Sequence, residues 1–215
     1  MAIPQHPPRH FLCYCASGTI RGESISIAYA MASRLLRKIK GTVDYAIKFS
    51  SSIRQPLQAY ADSDFAADED RKSQSGYIFM LAGGPVAWSS KKQTCVATST
   101  TEAEIVAANA CVSDAIWFRS FLTELGIPPS APITIHEDNA GAIVLANTSV
   151  IGKRSKHIDV KYHAINDAVD TKKAFIQKID TKKNLADIFT KALPRDRFTD
   201  LSHHFVSKLF TARPN

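Results

Sequence analysis

The sequence predicts an α/β fold, a mixed five-stranded sheet flanked by helices, and three observations carry that reading. Strand-like runs at 57–62, 76–81 and 86–90 come first, before any long helical pattern within the core region. A long helical pattern follows at 101–125. Strand and helix then alternate to the end: strand 132–137, helices 139–146 and 157–169, strand 174–179 and a closing helix 185–192. Three antiparallel strands followed by βαβ-like crossovers give a sheet of mixed direction.

Each element has a local reason. Ile27, Met31, Leu35 and Ile39 form one apolar stripe of a helix that Gly41 stops. Val43–Phe49 alternates as a short strand does, and Ser50–Ser52 reads as a linker. Gly83-Gly84-Pro85 marks the turn of a hairpin between 76–81 and 86–90. Ser99-x-x-Glu102 has capping-box spacing and opens the long helix. Ile105, Val112, Ile116 and Leu122 supply its stripe, and Gly126 with Pro128 closes it. No internal repeat or low-complexity tract is present.

Composition bounds the function. The 215 residues are 45% hydrophobic and 22% charged, which is ordinary globular usage. No apolar run approaches the ~18 residues of a membrane span, and the N-terminus lacks the pattern of a secretory signal. The four cysteines, at 13, 15, 95 and 111, have no metal-site spacing and read as reduced thiols of an intracellular protein. Charge is segregated. Lys and Arg outnumber Asp and Glu by eight to two in residues 1–60 and by fourteen to seven in 150–215, but are outnumbered five to eleven in 61–149. An acidic centre between basic arms suits a metal site that handles a polyanion, although the arms can equally be solvated faces.

Four acids fall at chemically telling places. Asp62 ends the first strand, Glu102 lies in the first turn of the long helix, Asp138 ends the fourth strand and Asp187 begins the closing helix. Carboxylates at such ends can converge on one edge of a sheet. Hard oxygen ligands are what Mg²⁺ requires, and two ions about 4 Å apart can flank a scissile phosphate. Each acid alone also has a structural use, Glu102 in its capping box and Asp187 at a helix N-terminus.

The motifs around these acids resemble the ribonuclease H region at the end of copia-type retrotransposon polyproteins. The resemblance is carried by Tyr60-Ala-Asp-Ser-Asp-Phe-Ala66 with Arg71-Lys-Ser-Gln-Ser-Gly-Tyr77, and by Trp88-Ser-Ser-Lys-Lys-Gln93 leading to Ser99-Thr-Thr-Glu-Ala-Glu104. Glu137-Asp-Asn139 with Ala142-Ile143, Lys156-His-Ile-Asp-Val-Lys-Tyr-His163 and Leu185-Ala-Asp-Ile-Phe-Thr-Lys191 complete it, in family order over about residues 57–195. Arg34-Leu-Leu-Arg-Lys-Ile-Lys-Gly-Thr-Val-Asp-Tyr45 is similar to the segment that joins polymerase to ribonuclease H. The implied division is an unmatched segment 1–25, a remnant of that connection at 26–53, a ribonuclease H-like domain at 54–196 and a helical tail at 197–215. The unmatched start suggests a polyprotein fragment or a truncated element copy.

The resemblance implies a ribonuclease H-like sheet and cleavage of the RNA strand of an RNA–DNA hybrid with two Mg²⁺ ions, Mn²⁺ being a possible substitute. It implies Asp62, Glu102, Asp138 and Asp187 as the catalytic, metal-binding set. Asp64 and Glu104 compete with Asp62 and Glu102. Because Glu104 lies about 200° around the helix from Glu102, only one of that pair can face the metals. Ser63, Gln93, Ser99, Thr100 and Asn139 are candidates for hybrid contacts, and Lys91, Lys92, Lys153, Arg154 and Lys156 for phosphates. His157 either assists proton transfer or product release, or simply starts a helix with Asp159 near its dipole. The expected partners are the hybrid and the reverse transcriptase domain of the same polyprotein, with no membrane. The expected location is intracellular, in a cytoplasmic virus-like particle or the nucleus. A polymerase palm needs adjacent aspartates, which Ser63 interrupts, and an integrase orders its acids Asp, Asp, Glu. A relic that binds nucleic acid without cutting is the remaining alternative.

Overall fold

The computed structural model describes residues 24–53, 55–66, 70–147 and 156–209. Its elements run α1 (Ser24–Lys40), β1 (Tyr45–Ala46), β2 (Gln58–Asp64), β3 (Gln74–Leu81), β4 (Gly84–Lys92), α2 (Thr100–Glu124), β5 (Ile133–Glu137), α3 (Ala140–Ala146), α4 (Lys156–Asp170), β6 (Ala174–Lys178), α5 (Asp187–Thr190), α6 (Arg195–Ser202) and β7 (Ser207–Lys208). Five strands form one sheet in the order β4-β3-β2-β5-β6. β2, β3 and β4 pair antiparallel, whereas β2–β5 and β5–β6 pair parallel. The mixed five-stranded sheet flanked by helices is therefore the fold class expected.

The side-chain period of two gives each strand a residue set for each face. Ala59, Ala61, Phe79, Ile133, Ile135, Ala174 and Ile176 face a large core completed by Ile105, Ala108, Cys111, Val112 and Ala115 of α2, with Ile165 of α4. Alanines along α2 let the helix lie close to the sheet. Ile78 and Met80 point the other way, against Leu185, Leu201 and the partly buried Tyr60, Phe189 and Phe205. Among the described residues α2 is long and apolar enough to cross a membrane. Its buried face in this core accounts for that composition without one.

The hairpin turn is one residue earlier than expected. Ala82 and Gly83 both take positive φ, 50° and 83°, as a two-residue turn requires, while Gly84 and Pro85 begin β4. A bulge between Phe79 and Met80 in the β3–β4 pairing accommodates the shift. The strand expected at 43–49 is only Tyr45–Ala46, because its partner is the equally short β7 near the other end of the chain. The closing helix expected at 185–192 is a single turn, α5, preceded by a 3₁₀ turn at Thr181–Lys183. Lys191 leaves helical geometry at φ −119°, ψ 146°, and α6 starts after Pro194.

Candidate metal centre

Two parallel strands in register set the first two acids. Gln58, Ala59 and Tyr60 of β2 stand opposite Thr134, Ile135 and His136 of β5, and the Tyr60 and His136 rings stack at 4.6 Å. Two residues beyond Tyr60 on β2, on that same face, comes Asp62, and two residues beyond His136, just past the end of β5, comes Asp138. α2 begins over this sheet edge and brings Glu104 from the other side. One carboxylate oxygen from each of Asp62, Glu104 and Asp138 lies within 4.8 Å of the others.

Glu102 is not in this group. Its Oε2 accepts bonds from the Thr98 amide (2.7 Å) and the Thr98 hydroxyl (2.6 Å), while its own amide donates to Ser99 Oγ. The motif that marks the helix start thus uses Glu102 as a cap, and Glu104, two residues on, faces the strands. The first turn of α2 is held from below by Gln93, whose Nε2 donates to Ser75 Oγ (2.8 Å) and the Ala103 carbonyl (2.9 Å).

The electrostatics are those of carboxylates brought together by force of packing. Burial raises Asp62 to about 6, against the lowering effects of Lys191 and Thr190. Burial pushes Glu104 well above the usual carboxylate range, and the charges of Glu137, Asp62 and Asp138 push it further. Glu137 is also raised by burial, although its Oε1 accepts the amides of Asp138 and Asn139 at 3.1 Å each. Glu104 Oε2 and Glu137 Oε2 are buried with no hydrogen-bond partner among the described residues. Orphaned anionic oxygens in an all-oxygen donor set fit a hard divalent cation.

Asp187 lies beside the trio, linked through Lys191. The Lys191 ammonium is 2.8 Å from Asp62 Oδ1 and 2.7 Å from Asp187 Oδ1, and Arg197 reaches Asp187 Oδ2 at 3.1 Å. The Thr190 hydroxyl donates to Asp62 Oδ2. Two further features fix this corner. Asn184, fully buried, donates from Nδ2 to the Ala61 carbonyl (2.8 Å) and accepts the Ala186 amide, tying the loop before α5 to β2. Gly76, paired with Asp62 across the sheet, leaves room for α5: a Cβ there would lie 2.6 Å from Thr190 Cγ2 and 2.8 Å from Phe189 Cβ.

No family model matches the chain. Over 166 residues it is 43% identical to the retrovirus-related Pol polyprotein from transposon TNT 1-94 of Nicotiana tabacum, covering 76% of this chain and 12% of that protein. Over 181 residues it is 39% identical to the corresponding polyprotein from transposon RE1 of Arabidopsis thaliana, covering 84% of this chain and 12% of that one. The chain is a homologue of copia-type retrotransposon Pol polyproteins. It spans about an eighth of the length of these relatives, 12% in each case. Among solved structures, LC11-RNase H1 isolated from compost gives a TM-score of 0.48 at 16% identity, covering 63% of this chain and 92% of that one.

In this Pol homologue the other expected residues are dispersed. Asp64 is the last residue of β2, two residues beyond Asp62. Ser63 and Gln93 are buried, and Asn139 caps α3 by accepting the Ala142 amide at 3.0 Å. Ser99 Oγ is likewise committed to its helix start, whereas Thr100 and Lys91 are exposed. Lys92 pairs with Asp70 at 2.9 Å. Lys153 and Arg154 lie outside the described residues, and Lys156, His157 and Asp159 fall in the first turn of α4. Sequence reasoning gave no role to Thr190, Lys191, Asn184 or Gly76. Only Lys191 had a local signal, the i,i+4 spacing from Asp187.

Proposed function

We propose that this domain hydrolyses the RNA strand of RNA–DNA hybrids, as the ribonuclease H segment of an intracellular retrotransposon polyprotein that also carries a reverse transcriptase. The observation that supports this most is the convergence of Asp62, Glu104 and Asp138 at one sheet edge, in a homologue of Pol polyproteins. These three side chains would hold a divalent ion, Mg²⁺ or Mn²⁺, with Asp187 next to them for a second. When bound, such ions polarise the attacking water and neutralise charge on the scissile phosphate and its leaving oxygen.

The chain's own residues prepare that chemistry. Thr190 and Lys191 orient Asp62, and the Glu137 side chain fixes the backbone at Asp138 by accepting two amides. Burial keeps bulk water away from the Glu104 oxygens, so that a cation there replaces no strong hydration. Lys91 and Thr100, both exposed, remain the candidates to meet phosphate and sugar.

The test is cleavage of a labelled hybrid by the purified chain in Mg²⁺. Asp138→Asn and Glu104→Gln abolish fragment release, whereas Glu102→Gln retains it and costs at most about 1 kcal/mol of stability through the cap. Retention by Glu104→Gln together with loss in Glu102→Gln would reverse the assignment. Absence of cleavage by folded wild-type chain in Mg²⁺ and in Mn²⁺ would leave a protein that only binds nucleic acid.

A further inference from the structure

The oxygens around Asp62 are unequally provided for. On one side, Glu104 Oε2 is buried and has no partner among the described residues. On the other, Asp62 and Asp187 have all four carboxylate oxygens engaged by donors of the chain: Lys191 on one oxygen of each, Thr190 on Asp62 and Arg197 on Asp187. The Lys191 ammonium bridges one oxygen of Asp62 and one of Asp187, at 2.8 and 2.7 Å, and so holds the space between these two carboxylates.

We infer that Lys191 is a resident cation standing in for the second divalent ion, so that the chain free of nucleic acid takes one ion, at Asp62, Glu104 and Asp138, and admits the second when Lys191 leaves. This rests on the metal-binding reading above. A single ammonium satisfies one charge where two carboxylates face each other, which keeps this corner folded without metal. Its side chain is 33% exposed, so the ammonium can swing outward without crossing the core. A phosphate arriving at the sheet edge offers it an alternative anionic partner and adds negative charge for a second ion to neutralise. Lys191 is therefore a positioning residue that couples ion stoichiometry to the presence of a polyanionic substrate.

Mn²⁺ binding to the whole chain tests this by stoichiometry and by electron paramagnetic resonance, in which two neighbouring Mn²⁺ ions give an exchange-coupled signal. Wild type is expected to bind one Mn²⁺ alone and two once a hybrid with an uncleavable 2′-fluoro RNA strand is added. Lys191→Met, checked for folding by circular dichroism, is expected to bind two without nucleic acid and show the coupled signal. Lys191→Arg, which keeps the charge, is expected to bind one. Two ions on free wild type, or no second ion when the hybrid binds, overturns the inference whether or not Lys191→Met folds. A folded Lys191→Met that still binds one overturns it also, while the metal centre stands. No Mn²⁺ on wild type with or without hybrid overturns the metal-centre reading and the inference with it.

Discussion

Asp62 is fully buried, raised to about 6 by that burial, and touched by Thr190 and Lys191. An acid whose folded pKa exceeds its unfolded value of ~3.9 binds its proton more tightly when folded. Its contribution is complete below about pH 4 and is lost as pH rises through about 6, and Glu104 and Glu137 act in the same direction. Thermal melts of the metal-free chain should show stability falling between these pH values, by up to ~3 kcal/mol for Asp62 alone. Mg²⁺ should restore it above about pH 6, where Asp62 has given up its proton and can bind a cation. A metal-free stability that rises over this window relative to Asp62→Asn would contradict the reading. At this scale the sequence was informative about Asp62 and Asp138, since each sits where a strand pattern ends. It could not separate Glu102 from Glu104. A cap and a metal ligand both want an acid in the first turn of α2, and only the rotation of that helix against the sheet chooses between them.

Among the elements, α5 depends most on its surroundings. One turn of helix has no stability of its own, so its position comes from Asn184, from Phe189 against the second core and from the absence of a side chain at Gly76. Gly76→Ala should displace α5, costing about 1–3 kcal/mol and lowering hybrid cleavage roughly 10- to 100-fold through the loss of support for Asp62. Unchanged denaturation midpoint and turnover would show that α5 tolerates the clash. Asn184→Ala should act similarly, by leaving the Ala61 carbonyl and Ala186 amide unsatisfied at about 1–3 kcal/mol. The strands and α2 were legible in sequence because period-two and helical patterns persist over many residues. α5 and β1 were legible only as longer elements, a helix at 185–192 and a strand at 43–49, and β7 was not read at all, since elements this short hold no period and take their bounds from partners distant in the chain.

For the whole molecule, the C-terminal region completes the fold. Leu201 of α6 is buried against the face of the sheet opposite α2, in the cluster that includes Ile78 and Met80. Burial of one leucine is worth about 1.5–3 kcal/mol. Truncation after Pro194 should therefore lower the unfolding free energy by at least that amount, read from denaturant melts, and remove Arg197 from Asp187. A truncated chain as stable as the full one would show that α6 is dispensable. The basic arms predict a second global property: hybrid binding should weaken linearly in log affinity against log salt concentration, as counterion release requires. A salt-independent affinity would exclude the arms from the interface.

The sequence by itself determined the order of strands and helices, the acidic centre between basic arms, and two of the three acids that meet. These are properties of local pattern and composition, which residue spacing records directly. Only the tertiary structure decided that Glu104 faces the strands while Glu102 caps the helix, and that Lys191 and Thr190 rest on Asp62 with Asn184 and Gly76 holding that corner in place. Those relations join residues up to 129 positions apart, and which side chains share a small volume depends on how whole elements turn and pack against one another.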